Sequence, residues 1–276
     1  MLSSNPLRPV TTALAIAFGL AVTAASGQGT RTLINVATDP SYPPMEYKDL
    51  TSSKLIGFDI DLFDAIAAKM GAKTNWIETK WEEQISSIKT KRADVVVSTK
   101  EDTPEGRAGV SLVDYVNDGS AFYTTRANAA RFQSIDDVCG KRVGAPRITN
   151  RGELVAKWSE EHCTKAGKPA IIVVGTQHSS DSRLQLNQGR IDAITGNLIG
   201  IVHQNQIENN NYVQIGEPFY PFMDGIIFSN NDPELGQAIK TAIAAVIADG
   251  TYRQILRKWK LPDSTAIERP LINGQP

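Results

Sequence analysis

The order of a strand, a proline-rich aromatic loop and an amphipathic helix near the start of the chain most constrains its fold. The strand is predicted over Leu33 to Ala37, the loop over Thr38 to Tyr47, and the helix over Gly57 to Gly71. Acidic residues crowd the first turns of this helix, and Gly71 stands where a left-handed residue commonly follows a helix. Its apolar stripe consists of Ile60, Phe63, Ile66, Ala67 and Met70. The pattern predicts an α/β protein with a ligand site at the loop, although such a helix also occurs in α/β proteins of other functions.

An internal echo predicts two lobes. The segment ISSIKTKRADVVVST at 85–99 resembles RLQLNQGRIDAITGN at 183–197: each has a short amphipathic helix, a basic turn, an aspartate and an apolar strand. The helices are marked by Ile85 and Ile88 and by Leu184 and Leu186; the aspartates are Asp94 and Asp192; the strands end at Ser98-Thr99 and Gly196-Asn197. Ligands of open α/β sheets bind beyond the carboxyl ends of strands, so these ends predict a shared cleft. Helix–turn–strand units also repeat in α/β folds without functional meaning.

Two extended segments are candidate hinge strands. They follow Asp114, over 115–128, and run from Glu217 to Ser229. If both connect the same two lobes, lobe 1 consists of residues 28–119 plus 222–276, and lobe 2 with the hinge strands consists of residues 120–221. A ligand would then be clamped by hinge closure.

The N-terminus is typical of a secretory signal peptide over residues 1–27. Arg8 is its only charge and precedes an apolar run from Val10 to Val22, after which small residues offer a cleavage site between Ala25 and Gln28. The run is short for a membrane span and no cysteine lies near the cleavage site, which predicts a periplasmic protein without a lipid anchor. Removing Arg8 leaves 28 basic and 30 acidic residues, a balance without the basic excess that nucleic-acid binding needs.

The two cysteines, Cys139 and Cys163, lie 24 positions apart and predict a disulfide in an oxidising compartment. A zinc site is disfavoured because there is no CxxC pair, and a catalytic pair of Cys163 with the adjoining His162 has no supporting motif. No phosphate-cradling glycine loop, HExxH sequence or calcium loop is present, so no metal and no cofactor is predicted.

Eight segments in one order resemble the family-3 extracellular solute-binding proteins, which deliver small polar solutes, commonly amino acids, to ABC importers. The segments are TDPSYPPMEY, GFDIDLFDAIAAKMG, the helix beginning at Trp81, RADVVVST, TPEGRAG, CGKRVGA, GRIDA and DGTYRQILRKW. The resemblance implies a two-lobed, type II periplasmic binding protein-like α/β fold with two hinge strands, and no chemistry on the ligand. It also implies a membrane permease as partner, no nucleic acid, and a monomer that presents both lobes.

The resemblance places the ligand contacts at Asp39, Tyr42, Trp81, Ser98, Thr99, Glu101, Arg107, Thr149, Asn150, Arg151 and Asn197. Arg107 is the expected carboxylate clamp, because a guanidinium donates two parallel hydrogen bonds to a carboxylate. The helix start at Thr149 to Arg151 is expected to grip the same carboxylate. Trp81 is expected to form a pocket wall, with core packing as the alternative.

Three positions depart from the family pattern. Thr103 and Arg107 stand one residue further apart than usual, Ile148 replaces a glycine, and Asn197 replaces the acid that pairs with a bound α-ammonium. A buried ammonium without a counter-charge costs several kcal/mol. Our hypothesis is that Glu101 supplies the missing charge; the alternative is that the ligand lacks an α-amino group and Glu101 faces water.

Two other functions are open to this sequence. Some relatives resemble secreted cyclohexadienyl dehydratases, in which a cleft carboxylate acts as general acid, and Glu101 would take that role. A sensory or accessory periplasmic binding module is the other alternative. We predict no catalytic residues and no enzyme activity, because the chain shows no catalytic constellation.

Overall fold

The computed structural model describes Met1 and residues 31–147 and 149–275. The predicted signal peptide beyond Met1 and the departure at Ile148 therefore lie outside the described residues. In the part of the chain that is described, no helix is long and apolar enough to cross a membrane.

Strands and α-helices are interspersed along the described chain. The strands are β1 Leu33–Thr38, β2 Ser41–Tyr42, β3 Glu46–Lys48, β4 Leu55–Ile56, β5 Lys73–Glu78, β6 Val95–Glu101, β7 Ser111–Thr125, β8 Arg142–Pro146, β9 Ile172–Thr176, β10 Ala193–Asn197 and β11 Tyr212–Phe228. The helices are α1 Phe58–Lys69, α2 Gln84–Lys89, α3 Arg151–Ser159, α4 Ser179–Asn187, α5 Gly200–Ile207, α6 Pro233–Ala248 and α7 Thr251–Lys258. The chain is therefore α/β, as predicted.

Two long strands run through the middle of the main sheet. Its eight strands have the order β5-β1-β6-β11-β7-β10-β8-β9, and β2, β3 and β4 form a small separate sheet. The groups β5-β1-β6 and β10-β8-β9 are each internally parallel, while β7 and β11 pair antiparallel with each other and with their outer neighbours. The two segments predicted as hinge strands are thus extended and adjacent.

The hydrophobic core changes along β7. Val113, Tyr115 and Val116 pack in a cluster with β1, α1, α6 and α7, whereas Phe122 packs in another with β8 and α3. The described residues from Arg31 onwards nevertheless form one compact unit. The lobe boundaries at 119/120 and 221/222 stay a prediction.

Helix α1 follows its predicted pattern, with one difference. Gly71 has the left-handed φ of +72° expected after a helix, and the stripe from Ile60 to Ala67 is buried. Asp59, however, is buried rather than solvated: the Tyr115 hydroxyl donates to both of its carboxylate oxygens at 2.9 Å. The first turn of α1 therefore carries an acid into the interior.

The echoed segments have equivalent structures. The Asp94 carboxylate accepts a hydrogen bond from the backbone N–H of Asn35 at 2.8 Å, and the Asp192 carboxylate accepts one from that of Arg142 at 3.0 Å. Each aspartate thus ties the strand it precedes to a parallel neighbour. One detail was wrong: Leu186 is buried but Leu184 is exposed, because residues two apart lie on different faces of a helix.

The predicted disulfide between Cys139 and Cys163 is confirmed. Cys163 is buried in the core that contains Phe122 and Trp158. Both sulfurs are consumed by this bond, which removes the zinc and Cys–His alternatives.

Candidate functional site

A cleft of about 410 Å³ lies at the carboxyl ends of β1, β6 and β10. It is lined by Asp39, Ser41, Tyr42, Glu46, Trp81, Ser98, Thr99, Lys100, Glu101, Arg151, Asn197, Phe222 and Asp224. The two strand ends that the internal echo picked out, Ser98-Thr99 and Asn197, meet in it. This is the position in which open α/β sheets bind ligands.

Most of the predicted contact residues come together here, namely Asp39, Tyr42, Trp81, Ser98, Thr99, Glu101, Arg151 and Asn197. Asn150 lines an adjoining cavity of about 200 Å³ that shares Glu101, Arg151 and Asn197 with the cleft. Thr149 is outside both linings, and its hydroxyl donates to the carbonyl of Pro146 at 2.9 Å. That these residues contact a ligand stays a prediction.

Arg107, the expected carboxylate clamp, does not lie in the cleft lining. Its Nε and Nη2 donate to the two carboxylate oxygens of Asp102 at 2.5 and 2.9 Å, and the Asp102 side chain is almost wholly buried. One edge of the guanidinium, Nε and Nη2, is therefore occupied by Asp102. Arg107 stands one residue further from Thr103 than the family pattern has it, and its side chain lies outside the cleft lining.

The hydroxyls of Ser98 and Thr99 are turned towards a buried acid. They donate to the two carboxylate oxygens of Glu46 at 2.8 and 3.2 Å, and Ser98 Oγ also accepts from the backbone N–H of Asp39 at 3.1 Å. In this arrangement the hydroxyls hold the pocket wall together rather than offer free donors.

Glu46, which lines the cleft, forms a buried carboxyl pair with Asp59, which lies outside the lining. Burial, followed by the nearby charge of Asp59, raises the pKa of Glu46 well above its usual range. Burial likewise raises the pKa of Asp59 to about 7, although the Tyr115 hydroxyl bond opposes the rise. Two carboxyl groups buried side by side cannot both ionise without large cost.

A second acidic group lies on the sheet itself. Asp224 on β11 stands directly opposite Glu101 on β6, and both line the cleft. Asp224 is only 1% exposed, and its Oδ2 has no hydrogen-bond partner among the described residues. Burial and then the charge of Asp118 raise the pKa of Asp224 well above its usual range. Glu101 is more exposed, and partial desolvation raises its pKa while Lys100 and Arg151 oppose the rise.

Two cationic side chains face these acids. Arg151 is the first residue of α3, and in the described chain it makes no ion pair. Lys100 Nζ lies 5.0 Å from the centroid of the Trp81 ring. Trp81 is 47% exposed, so it is a wall of the cleft and not a core residue. Its backbone N–H donates to Asp39 at 3.0 Å, which fixes the first loop against it.

Sequence reasoning missed Ser41, Glu46, Lys100, Phe222 and Asp224 as lining residues. Asp224 had the clearest available signal, because it is a lone acid in the otherwise apolar run FMDGIIF. Across the described ranges, no group of three or more metal-ligating side chains is arranged to hold a metal ion.

The family described as bacterial extracellular solute-binding proteins, family 3, matches residues 34–262. The putative ABC transporter arginine-binding protein 2 of Escherichia coli (strain K12) is 28% identical over 252 residues, covering 90% of this chain and 96% of that protein. The histidine-binding periplasmic protein of the same strain is 26% identical over 233 residues, covering 82% and 86%. The sequence similarity to these relatives therefore covers both parallel strand groups of the main sheet, β5-β1-β6 and β10-β8-β9.

Solved structures agree on the fold. An ancestral arginine-binding protein bound to arginine matches with a TM-score of 0.60 at 28% identity, covering 83% of this chain and 99% of that one. The L-cystine solute receptor of Neisseria gonorrhoeae in its unliganded open conformation matches with a TM-score of 0.69 at 22% identity, covering 86% and 95%. These are type II periplasmic binding proteins, so the fold that the sequence predicted is confirmed.

Proposed function

This chain belongs to family 3 of the bacterial extracellular solute-binding proteins, and we propose that it captures an amino acid in the periplasm and delivers it to the membrane permease of an ABC importer. Binding of a small solute is the function it shares with its relatives, which are named for arginine, cystine and histidine. The amino-acid ligand, the permease, the periplasmic location, the hinge closure and the monomeric state are our proposals.

The separation of charge within one cleft carries the proposal. Arg151, which has no ion-pair partner in the described chain, lies on the α3 side, and the carboxyl groups of Glu101 and Asp224 lie on the sheet. An α-amino acid has a carboxylate and an ammonium on one carbon and matches such a charge pattern. We infer that Arg151, rather than Arg107, binds the ligand carboxylate, because a guanidinium pairs with a carboxylate bidentately.

The acids of the cleft outnumber its bases, and those whose pKa is raised by burial can ionise against a ligand with additional positive charge. Four acids, Asp39, Glu46, Glu101 and Asp224, line it together with only two bases, Lys100 and Arg151. The exposed face of Trp81 offers a surface on which a guanidinium or an aliphatic ammonium chain stacks. We therefore propose cationic amino acids as the ligand class, with the missing acid at Asn197 replaced from lobe 1.

We propose further that the ligand leaves unchanged. The relatives reported above are binding proteins, whereas the dehydratase alternative requires turnover with Glu101 as acid. Incubating the purified mature protein with prephenate, arogenate and the amino acids, followed by chromatographic recovery, separates the two. Quantitative recovery supports binding alone; enzyme-dependent product formation that is lost in Glu101→Gln would contradict it.

A ligand screen tests the proposed function. The mature chain, with its disulfide intact, is heated with amino acids, polyamines, organic acids and small sugars. A ligand at 100 times its Kd stabilises by about 2.7 kcal/mol, which raises the Tm of a chain of this size by about 5–10 °C. We expect the largest shifts with L-arginine, L-lysine and related cationic amino acids. Shifts only with solutes that lack an α-ammonium would overturn the amino-acid assignment, and no shift with any solute would overturn solute capture itself.

Importer partnership needs a separate test in cells. Deletion of the gene is expected to abolish high-affinity uptake of the radiolabelled ligand, and the protein is expected in the osmotic-shock fraction. Unchanged uptake in the deletion strain, with binding intact in vitro, would favour the sensory or accessory alternative.

A further inference from the structure

Three strands place acids on one face of the sheet at the floor of the cleft. Asp224 on β11 pairs directly with Glu101 on β6, and Phe222, two residues earlier on β11, pairs directly with Asp118 on β7. Because side chains alternate along a strand, all of these residues point to the same face. Directly opposed residues have Cβ atoms about 4.5–5.5 Å apart, and diagonal neighbours are about 7–8 Å apart. Asp224 therefore has an acid on each adjoining strand, Glu101 directly opposite on β6 and Asp118 at the diagonal position on β7.

Asp224 is the most buried of the acids in this group that line the cleft. It is 1% exposed, whereas Glu101 is solvent-accessible and lies near Lys100 and Arg151. Oδ2 of Asp224 has no hydrogen-bond partner in the described chain, and Oδ2 of Asp118 has none either. An ionised carboxylate in this position meets like charges on both neighbouring strands and little water. Such a group is costly unless it is neutralised by a proton or paired with a cation.

We propose that Asp224 is the acceptor for the ammonium or guanidinium group of the bound ligand, and that ligand binding displaces a proton which Asp224 holds in the ligand-free protein. The proposal rests on the proposed function, since it names the side chain that recognises the cationic solute. The proton passes to solvent and the ligand cation takes its place, so the charge of the buried site is the same before and after the exchange.

The surroundings of Asp224 favour the protonated form without a ligand. The titratable or charged groups that act on it or on Glu101 opposite it are Tyr42, Asp59, Lys100, Glu101, Glu105, Asp114, Tyr115, Asp118 and Arg151. The acids outnumber the bases, and burial raises the pKa of Asp224 further. A ligand cation lowers that pKa again, because an opposite charge favours the ionised form. Affinity for a cationic ligand is therefore expected to rise with pH, by up to about tenfold per pH unit while one proton is released.

Titration calorimetry of the mature protein tests this exchange. The probes are L-arginine and L-lysine, measured at pH 6, 7 and 8 in two buffers of different ionisation enthalpy, so that protons released on binding appear as a difference in heat. We expect release approaching about one proton per ligand and tighter binding at higher pH. Asp224→Asn keeps the shape of the side chain and is expected to weaken binding by about thirtyfold or more and to abolish proton release.

Two further variants make the result specific. Asp114→Asn is the matched control: Asp114 is a buried acid on the neighbouring strand β7 with a pKa raised to about 8 by burial, but it does not line the cleft. Its charge acts on Asp224 more weakly than those of Asp118, Asp59 and Glu101, so this variant is expected to keep proton release and to change affinity far less than Asp224→Asn does. Glu101→Gln is expected to retain proton release, because the displaced proton belongs to Asp224.

The outcomes separate this proposal from the proposed function. Wild-type affinity or undiminished proton release in a folded Asp224→Asn protein overturns the assignment of Asp224 and leaves amino-acid capture standing. Loss of proton release in Glu101→Gln but not in Asp224→Asn assigns the exchange to Glu101 instead. If the wild-type protein binds neither cationic probe, the assignment falls, and the ligand screen then decides whether solute capture falls with it. Circular dichroism and Tm of the ligand-free variants establish that each is folded.

Discussion

Asp224 and Glu101 face each other directly across two antiparallel strands, and both carboxyl groups line the cleft. Opposed like charges destabilise a sheet. Arg151, which makes no ion pair within the described residues, lines the same cleft. This arrangement indicates a site for a solute that carries charges of both signs.

Removing the two acids one at a time is expected to have unequal effects on binding. Asp224→Asn removes the buried charge, while Glu101→Gln removes an exposed one, for which about a threefold loss of affinity for L-arginine is expected from a charge pair near solvent. Calorimetry at pH 8 measures both. Equal losses would mean that the two carboxylates share the ligand cation, and no loss in Glu101→Gln would refute our hypothesis that Glu101 compensates for Asn197.

The ligand-free protein is expected to lose stability as pH rises from about 5 to about 8. Asp59 and Asp114 have pKa values raised to about 7 and about 8 by burial, so the folded state binds more protons than the unfolded state across this range. Their stabilising contribution to the free energy of unfolding is fully present below the pKa that each group has in the unfolded chain. It is lost as pH rises through the pKa of the same group in the folded protein. The pKa of His203 is lowered by burial, which gives a single opposing contribution near pH 6.

Urea unfolding across this pH range measures the effect. Saturating ligand is expected to flatten the profile because it ionises Asp224 in the complex. A ligand-free stability that increases steadily from pH 5 to pH 8 would contradict the prediction.

The two candidate arginines are expected to have opposite phenotypes. Arg151→Met is expected to weaken ligand binding by about thirtyfold or more with little change in stability, since Arg151 makes no ion pair in the described chain. Arg107→Met is expected to lower the free energy of unfolding by about 1–3 kcal/mol, because it leaves the buried Asp102 without its partner, and to leave affinity within about twofold.

Arg190→Met serves as the control, because Arg190 is exposed and lies outside the cleft lining. Urea unfolding and calorimetry on the same preparations distinguish stability from binding. Normal affinity in Arg151→Met would remove Arg151 from the site.

Trp81 is expected to report ligand binding. Its ring is half exposed with Lys100 over one face, so a ligand that enters the cleft changes its surroundings. Intrinsic fluorescence should change on saturation with L-arginine, and the change should largely disappear in Trp81→Phe while calorimetry still detects binding. Trp81→Ala should weaken binding by about threefold to tenfold through loss of the stacking surface. An unchanged affinity in Trp81→Ala would show that the ring does not contact the ligand.

The disulfide is expected to matter for stability and not for binding. Replacing Cys139 and Cys163 together with serine should lower the free energy of unfolding by about 3 kcal/mol in the chain-entropy model. Ligand affinity should stay unchanged, because neither cysteine lines the cleft. Urea unfolding of wild type with and without reductant provides the comparison. A large loss of affinity in the folded double variant would show that the bond positions the cleft.

Local features of the fold were predictable because they depend on neighbours in the sequence. Helix α1, the strands beginning at Leu33 and Val95, and the left-handed Gly71 follow from periodicity and end signals that act within a few residues. The Leu184 error has the same origin: two leucines in a short segment do not show which one faces the core.

Side-chain direction at the cleft was less predictable. Arg107 carries the family motif, yet an acid five positions before it captures the guanidinium. Arg151, predicted as a ligand contact at a helix start, does line the cleft, whereas Thr149 of the same helix start does not. Such outcomes depend on which charged groups meet after folding, and the local sequence does not specify this.

The sequence by itself determined the succession of strands and helices, the family resemblance, the disulfide pair and the strand ends that meet at the cleft, because these depend on local periodicity and on motifs in order. Only the tertiary structure decided that Asp224 faces Glu101 and that Ser98 and Thr99 turn to Glu46. Strand pairing brings together residues far apart in the chain, and burial then makes their charges interact strongly.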